Sequence, residues 1–180
     1  RGIDTCHFDP ATVDSEFIHQ FQTEHNLIGK KVLTIVGRIT EWKGHETFIR
    51  ALAELQKSHP EWVGLVAGGV WYDKQDYFDF LKSLAADLGA EVRFAGSQTN
   101  VREIYALSDL AVSAASTNAE TFGRTSADSL AKNTPVIASA QGVTLYILLK
   151  GENGLLFTPG YAADLAQKIE QSLTHPFSNL

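Results

Sequence analysis

The stretch ASTNAETFGRTSADSLAKNTPVIAS, Ala115 to Ser139, decides the fold. It leaves an apolar run, DLAVSAAS, crosses a polar loop, opens a short helical pattern at Arg124 and ends in a second apolar run, PVIAS. Two buried strands joined through a helix are parallel, because the crossover returns the chain to the same end of the sheet. The loop also carries more chemistry than a connection needs. Glu120 lies before a Phe122-Gly123 pair, Arg124, Thr125 and Ser126 follow in a row, and Asp128 stands one turn further on.

The same alternation extends in both directions. KVLTIVGR, WVGLVAGG, EVRFAGS and GLLFTP join the two runs above as nearly continuous apolar segments, the pattern of strands buried on both faces. Between them, Phe48, Ile49, Leu52 and Leu55 recur at helical spacing within 43–58. Tyr77, Leu81, Leu84 and Leu88 do so within 76–88, with Gly89 placed for a left-handed C-cap. Asn100 is expected to cap a short helix bearing Val101, Ile104 and Tyr105, and Tyr161, Leu165, Ile169 and Leu173 form a last stripe before Pro176. The expected fold is α/β: a doubly wound, Rossmann-like parallel sheet of about six strands with helices on both faces. Ligands of such sheets bind beyond the carboxyl ends of the strands.

Composition narrows the function. The chain has 180 residues, 44% of them hydrophobic, a formal net charge of −6 and one cysteine, Cys6. That amount of apolar surface builds one domain without disulfides, and a reducing compartment, the cytoplasm, is expected. The acidic balance argues against a broad nucleic-acid-binding face. No apolar run has the length of a membrane span, and no signal-peptide core opens the chain. With no methionine anywhere, the sequence reads as a piece of a longer protein.

The strand-end loops supply the candidate site. Arg38 and Lys43 flank the turn after the first strand, either as solvated cations or as two arms around an anion. Gly68-Gly69 after the second strand permits a tight turn or a close ligand approach. A Gly-x-Gly-x-x-Gly fingerprint, a P-loop and a Gly-x-Ser-x-Gly elbow are all missing. His7, His19, His25, His45, His59 and His175 show no metal-ligand spacing and are expected on the surface, so no metal is expected. In the quoted loop, Gly123 allows backbone approach, the helix opening at Arg124 offers amides to a phosphate, and Glu120 and Asp128 can meet hydroxyls at either end of a ligand. A nucleotide sugar has that shape; a capped surface helix is the plainer reading.

Taken in order, RGIDTCHFDP, VGRITEWKGHETFIRAL, VRFAGS, EIYALSDLAVSAAS, AETFGRTSADSLAKNTPVIAS and GENGLLF resemble the C-terminal, donor-binding half of family four retaining glycosyltransferases of the GT-B fold. The resemblance implies hexosyl transfer from a nucleoside diphosphate sugar with retention, no cofactor and no metal. Arg38 and Lys43, with Gly37 between strand and turn, would neutralise the diphosphate. Gly96 and Ser97 would border the base. Glu120 would lie by the sugar, Phe122 and Gly123 would meet it through the backbone, and Arg124 and Thr125, with Ser126, would face the diphosphate. Asp128 would accept the ribose hydroxyls. Uridine, guanosine and adenosine donors stay open, with UDP the working expectation.

Four departures stand out: Asp128 in place of a second Glu, Val143 in place of a Gly, Tyr146 in place of a Glu, and Asn133 where a Gly often ends the helix. The resemblance also implies an absent N-terminal acceptor domain. The isolated domain is then inactive, and the whole enzyme is cytoplasmic with room for peripheral contact at the inner membrane face. Two other readings stand beside this one: a degenerate nucleotide-binding module, and a flavodoxin-like regulatory domain without nucleotide.

Overall fold

The computed structural model describes residues 13–116, 124–130, 133–142, 144–148 and 153–177; at Arg124, Thr125, Ala127 and Ile147 it describes the backbone alone. Six parallel strands form one sheet: β1 (Lys31–Val36), β2 (Trp62–Ala67), β3 (Val92–Gly96), β4 (Leu110–Ser113), β5 (Val136–Ser139) and β6 (Gly154–Phe157). Their order is β3-β2-β1-β4-β5-β6, the doubly wound arrangement whose chain direction reverses between β1 and β4. The six apolar runs of the sequence are these six strands.

Alternate residues along each strand feed two cores. Leu33, Ile35, Val66, Val112 and Ile137 point to one face, where α2 (His45–Ser58), α3 (Gln75–Leu88) and α7 (Ala162–Thr174) cover them with Phe48, Leu52, Leu81, Leu165 and Ile169. Val32, Val63 and Leu65 point to the other, packing with Phe21 of α1 (Ser15–Glu24) and with Ile104 and Leu107 of α4 (Val101–Leu107). Further along that face Tyr105 of α4 packs on Ala111, Val136, Ala138 and Leu148, beside the short helices α5 (Arg124–Leu130) and α6 (Thr144–Ile147). Fully burying a side chain of this kind stabilises the fold by roughly 1.5–3 kcal/mol. That burial on both faces is why the strands lack a polar alternation.

Helix ends follow local chemistry where the side chains are free to act. Gly89 closes α3 at φ 65°, and Asn133 adopts φ 57° after α5, the left-handed turn its sequence position allows. α1 is an addition to the expected helices, and Asp14 marks its start by accepting from the amides of Glu16 and Phe17. The expected Asn100 cap is not made. Asn100 occupies the position, but its side chain gives no capping bond, and its Oδ1 accepts from the Thr99 hydroxyl instead. The first strand-to-helix turn also differs from expectation, because Lys43 ends a separate 3-10 turn, Glu41–Lys43, and α2 begins only after Gly44.

Candidate functional site

The carboxyl ends of β3, β2, β1 and β4 lie side by side, and the loops after β2, β1 and β4 are bonded to one another. Gly37 donates its N–H to Ala67 O and Ile39 donates to Gly69 O, both at 3.0 Å, which ties the β1 loop to the β2 loop. Across the switch point, Ser116 N–H donates to Trp42 O at 2.9 Å. Gln141 Nε2 donates to Ala115 O at 2.6 Å and draws in the β5 loop.

Two glycines make these approaches possible. A Cβ on Gly68 would lie 1.8 Å from Gly37 O, and one on Gly44, where φ is 79°, would lie 1.9 Å from Ala114 O. Neither position admits a side chain while the loops keep this spacing.

The two candidate cations share one turn at this switch point. Arg38 is exposed and its guanidinium lies 4.8 Å from the centroid of the Trp71 ring. The Lys43 stem passes Gly37, where an added Cβ would sit 3.5 Å from its Cδ, and its Nζ lies 4.5 Å from the Trp42 ring centroid. Beside them Lys74 Nζ bonds both carboxylate oxygens of Glu41, at 3.0 and 3.2 Å. The Glu41 carboxyl is held below its ordinary range by its own backbone amide first and by Lys74 second.

Two strands away from the β4 edge of β1, Gly96 takes φ 70° and both Gly96 and Ser97 are exposed. A Cβ on Gly69 would lie 3.3 Å from Ser97 Cβ, so the β2 and β3 loops also touch. Gly37, Arg38, Lys43, Gly96 and Ser97 therefore share one edge of the sheet. Asp128 is half-buried within α5, which follows β4 on the other side of β1. The backbone of Arg124 and Thr125 opens α5, as the sequence implied. Ser126, expected to face a diphosphate with them, is fully buried. Glu120, Phe122, Gly123 and Val143 lie outside the described residues. Tyr146 is 85% exposed on α6.

One histidine departs from the expected surface placement. His45, the first residue of α2, is 0% exposed, and neither ring nitrogen has a hydrogen-bond partner among the described residues. The ring faces the backbone of Thr40 and Gly37 without reaching hydrogen-bond geometry. Burial pushes its pKa down to about 4 against an opposing pull from those two backbone groups, while nearby Lys43 adds to the depression. The signal was present in the sequence: position 45 extends the Phe48, Ile49, Leu52 stripe one turn toward the N-terminus.

A cleft of about 450 Å³ opens elsewhere, between α2 and α7, lined by Arg50, Glu54, Leu55, Ala163, Ala166 and Glu170. It lies along the helical layer, away from the strand ends. Its charged groups are already engaged, Arg50 with Glu46, Glu54 with Lys57 and Glu170 with His59. Among the described residues no group of three or more His, Cys, Asp or Glu is placed to hold a metal ion. No helix among them is long and apolar enough to cross a membrane.

Comparison with known proteins agrees with this fold. The family profile described as "Glycosyl transferases group 1" matches residues 18–179. A lipopolysaccharide core biosynthesis mannosyltransferase, LpcC of Rhizobium leguminosarum bv. viciae, is 28% identical over 178 residues, covering 98% of this chain and 49% of that protein. Among solved structures, HepE of Anabaena in complex with UDP and glucose superposes with a TM-score of 0.86 at 26% identity, over 97% of this chain and 46% of its own. The C-terminal domain of a group 1 glycosyl transferase, LpcC of Francisella tularensis, superposes with a TM-score of 0.82 at 28% identity, over 96% of this chain and 88% of its own. The chain spans about half the length of the full-length relatives it matches and nearly the whole of the isolated C-terminal domain.

Proposed function

The chain belongs to the group 1 glycosyl transferases, and on that premise we propose that it is the donor-binding domain of a retaining hexosyltransferase, holding a nucleoside diphosphate sugar across the carboxyl ends of β3, β2, β1 and β4. The observation that carries the reading is the pairing of Arg38 and Lys43 on one turn at the topological switch point, with Arg38 exposed. Two cations there stabilise a diphosphate as negative charge builds on it during departure from the sugar. No metal is required for that task when side chains supply the charge.

In this reading Gly96 and Ser97 border the base, and the backbone at Arg124 and Thr125 faces the phosphates. Asp128 accepts from the ribose, and Glu120, Phe122 and Gly123 serve the sugar. Asp128 is one methylene shorter than the expected Glu, so its ribose contact is longer or carried by a water. UDP is the first nucleotide to test, since HepE, a neighbour in fold, was solved with UDP and glucose. The acceptor is held by a second, N-terminal domain, and transfer needs both halves. We place the whole enzyme in the cytoplasm, with its acceptor side in peripheral contact with the inner membrane face.

Calorimetric titration of the chain with UDP and with uridine tests the site. Arg38→Ala and Lys43→Ala should each weaken UDP binding by roughly 1.5–3 kcal/mol, the worth of a hydrogen bond to a charged group, and leave uridine almost unchanged. Equal losses for the two ligands would show that these cations do not meet the phosphates.

A further inference from the structure

We propose that Trp71 is a positioning residue for Arg38, a fixed indole face that holds the guanidinium ready for the diphosphate. The inference rests on the donor-site reading above and adds to it a residue from a loop whose sequence carries no nucleotide motif.

The contact is 4.8 Å from the guanidinium carbon to the ring centroid, within the range of a cation–π interaction. Stacking uses the face of the guanidinium, whereas all five N–H donors lie in its plane. Held with its carbon over the ring, the long, rotamer-rich side chain is restrained, and contact through its face would leave the donors for a phosphate. Arg38 makes no hydrogen bond or ion pair to a described residue, so the ring is its main restraint.

The platform itself is anchored. The loop that carries Trp71 is held to the loop that carries Arg38 by the Ile39–Gly69 backbone bond and by the Lys74–Glu41 ion pair, three residues beyond the indole. Trp71 remains 55% exposed, although the usual fate of a tryptophan side chain is high burial. An exposed indole on a pinned loop, covered on one side by the candidate phosphate ligand, is what a platform requires.

The experiment is a double-mutant cycle on the chain, with Trp71→Leu, Trp71→Phe, Arg38→Ala and Arg38→Ala/Trp71→Leu titrated against UDP, inorganic pyrophosphate and uridine. Trp71→Leu should raise the Kd for UDP and pyrophosphate about two- to fivefold, the worth of an exposed cation–π contact, and leave uridine unchanged. Trp71→Phe, which keeps a π face, should recover most of that loss. The double variant should bind no more weakly than Arg38→Ala alone, because the ring acts only through Arg38. Equal losses for UDP and uridine would show that the indole stacks on the base, and additive losses in the double variant would show that it acts independently of Arg38. Either result overturns the inference, as does unchanged UDP binding in Trp71→Leu. A strong effect of Arg38→Ala with none from Trp71→Leu removes this inference alone. Failure of the unaltered chain to bind UDP or pyrophosphate removes the donor site with it.

Discussion

Acidification should destabilise this protein through His45 before its carboxylates are protonated. The imidazole is 0% exposed and its pKa is pushed down to about 4, from 6.5 in the unfolded chain. The unfolded state therefore takes up a proton first, and stability falls as pH drops from above 6.5 toward about 4. At about pH 5 the linkage amounts to about 2 kcal/mol lost relative to neutral pH, rising to about 3 kcal/mol in the limit below both values. For a domain of this size that corresponds to a fall in Tm of about 4–8 °C between pH 7.5 and pH 5.

His45→Gln removes the titrating group. The quantity to measure is the difference between the pH slopes of Tm for the two proteins, by calorimetry or circular dichroism. The depressed carboxylates Glu41, Asp79 and Asp164 act in both proteins and lose their contribution only at lower pH. His59, raised chiefly by its hydrogen bond to Glu170, stabilises the fold below its raised pKa and opposes the trend equally in both. Parallel slopes, or a wild-type protein more acid-resistant than His45→Gln, would refute the reasoning. Either would mean that the backbone carbonyls of Thr40 and Gly37 hold the charged ring more strongly than burial disfavours it.

Binding of UDP should survive EDTA, because Arg38 and Lys43 supply the charge; a large loss with chelator, read by calorimetry, would reveal a metal bridge. Glu120→Gln should leave UDP affinity nearly unchanged and reduce transfer in a protein that also carries its acceptor domain, whereas Asp128→Asn should weaken UDP itself. The reverse order in calorimetry and transfer assays would exchange the two roles. Gly44→Ala should cost about 2–5 kcal/mol in denaturant unfolding, since its φ is 79° and its Cβ would meet Ala114 O at 1.9 Å. Gly29→Ala, at φ 75° with nothing within 4 Å, should cost only about 1–2 kcal/mol, and equal effects would deny the contact between the β1 and β4 loops.

The six strands, the helices α2, α3, α4, α5 and α7, and the left-handed turns at Gly89 and Asn133 were legible in the sequence. Each follows from a local property: apolar runs bounded by turns, residues repeated at helical spacing, a side chain that tolerates positive φ. Arg38 and Lys43 could also be placed at a strand end from position alone. Partnership required the tertiary structure. A strand that is apolar on both faces reveals that it is buried but not beside which neighbour, so the β1–β4 switch point, and with it the line from Ser97 to Lys43, depends on sheet order.

The same limit explains the individual departures. The Asn100 side chain was taken by Thr99 instead of the helix amides, and His45 is buried against the backbone of Gly37 and Thr40 in the loop that carries the two cations. Trp71 meets Arg38 only because its loop is bonded to the β1 loop, thirty or so residues away along the chain. Local pattern fixes what a segment becomes because propensity and burial act within a few residues. Which polar and aromatic side chains meet is decided by contacts between segments, and those form only when the whole sheet closes.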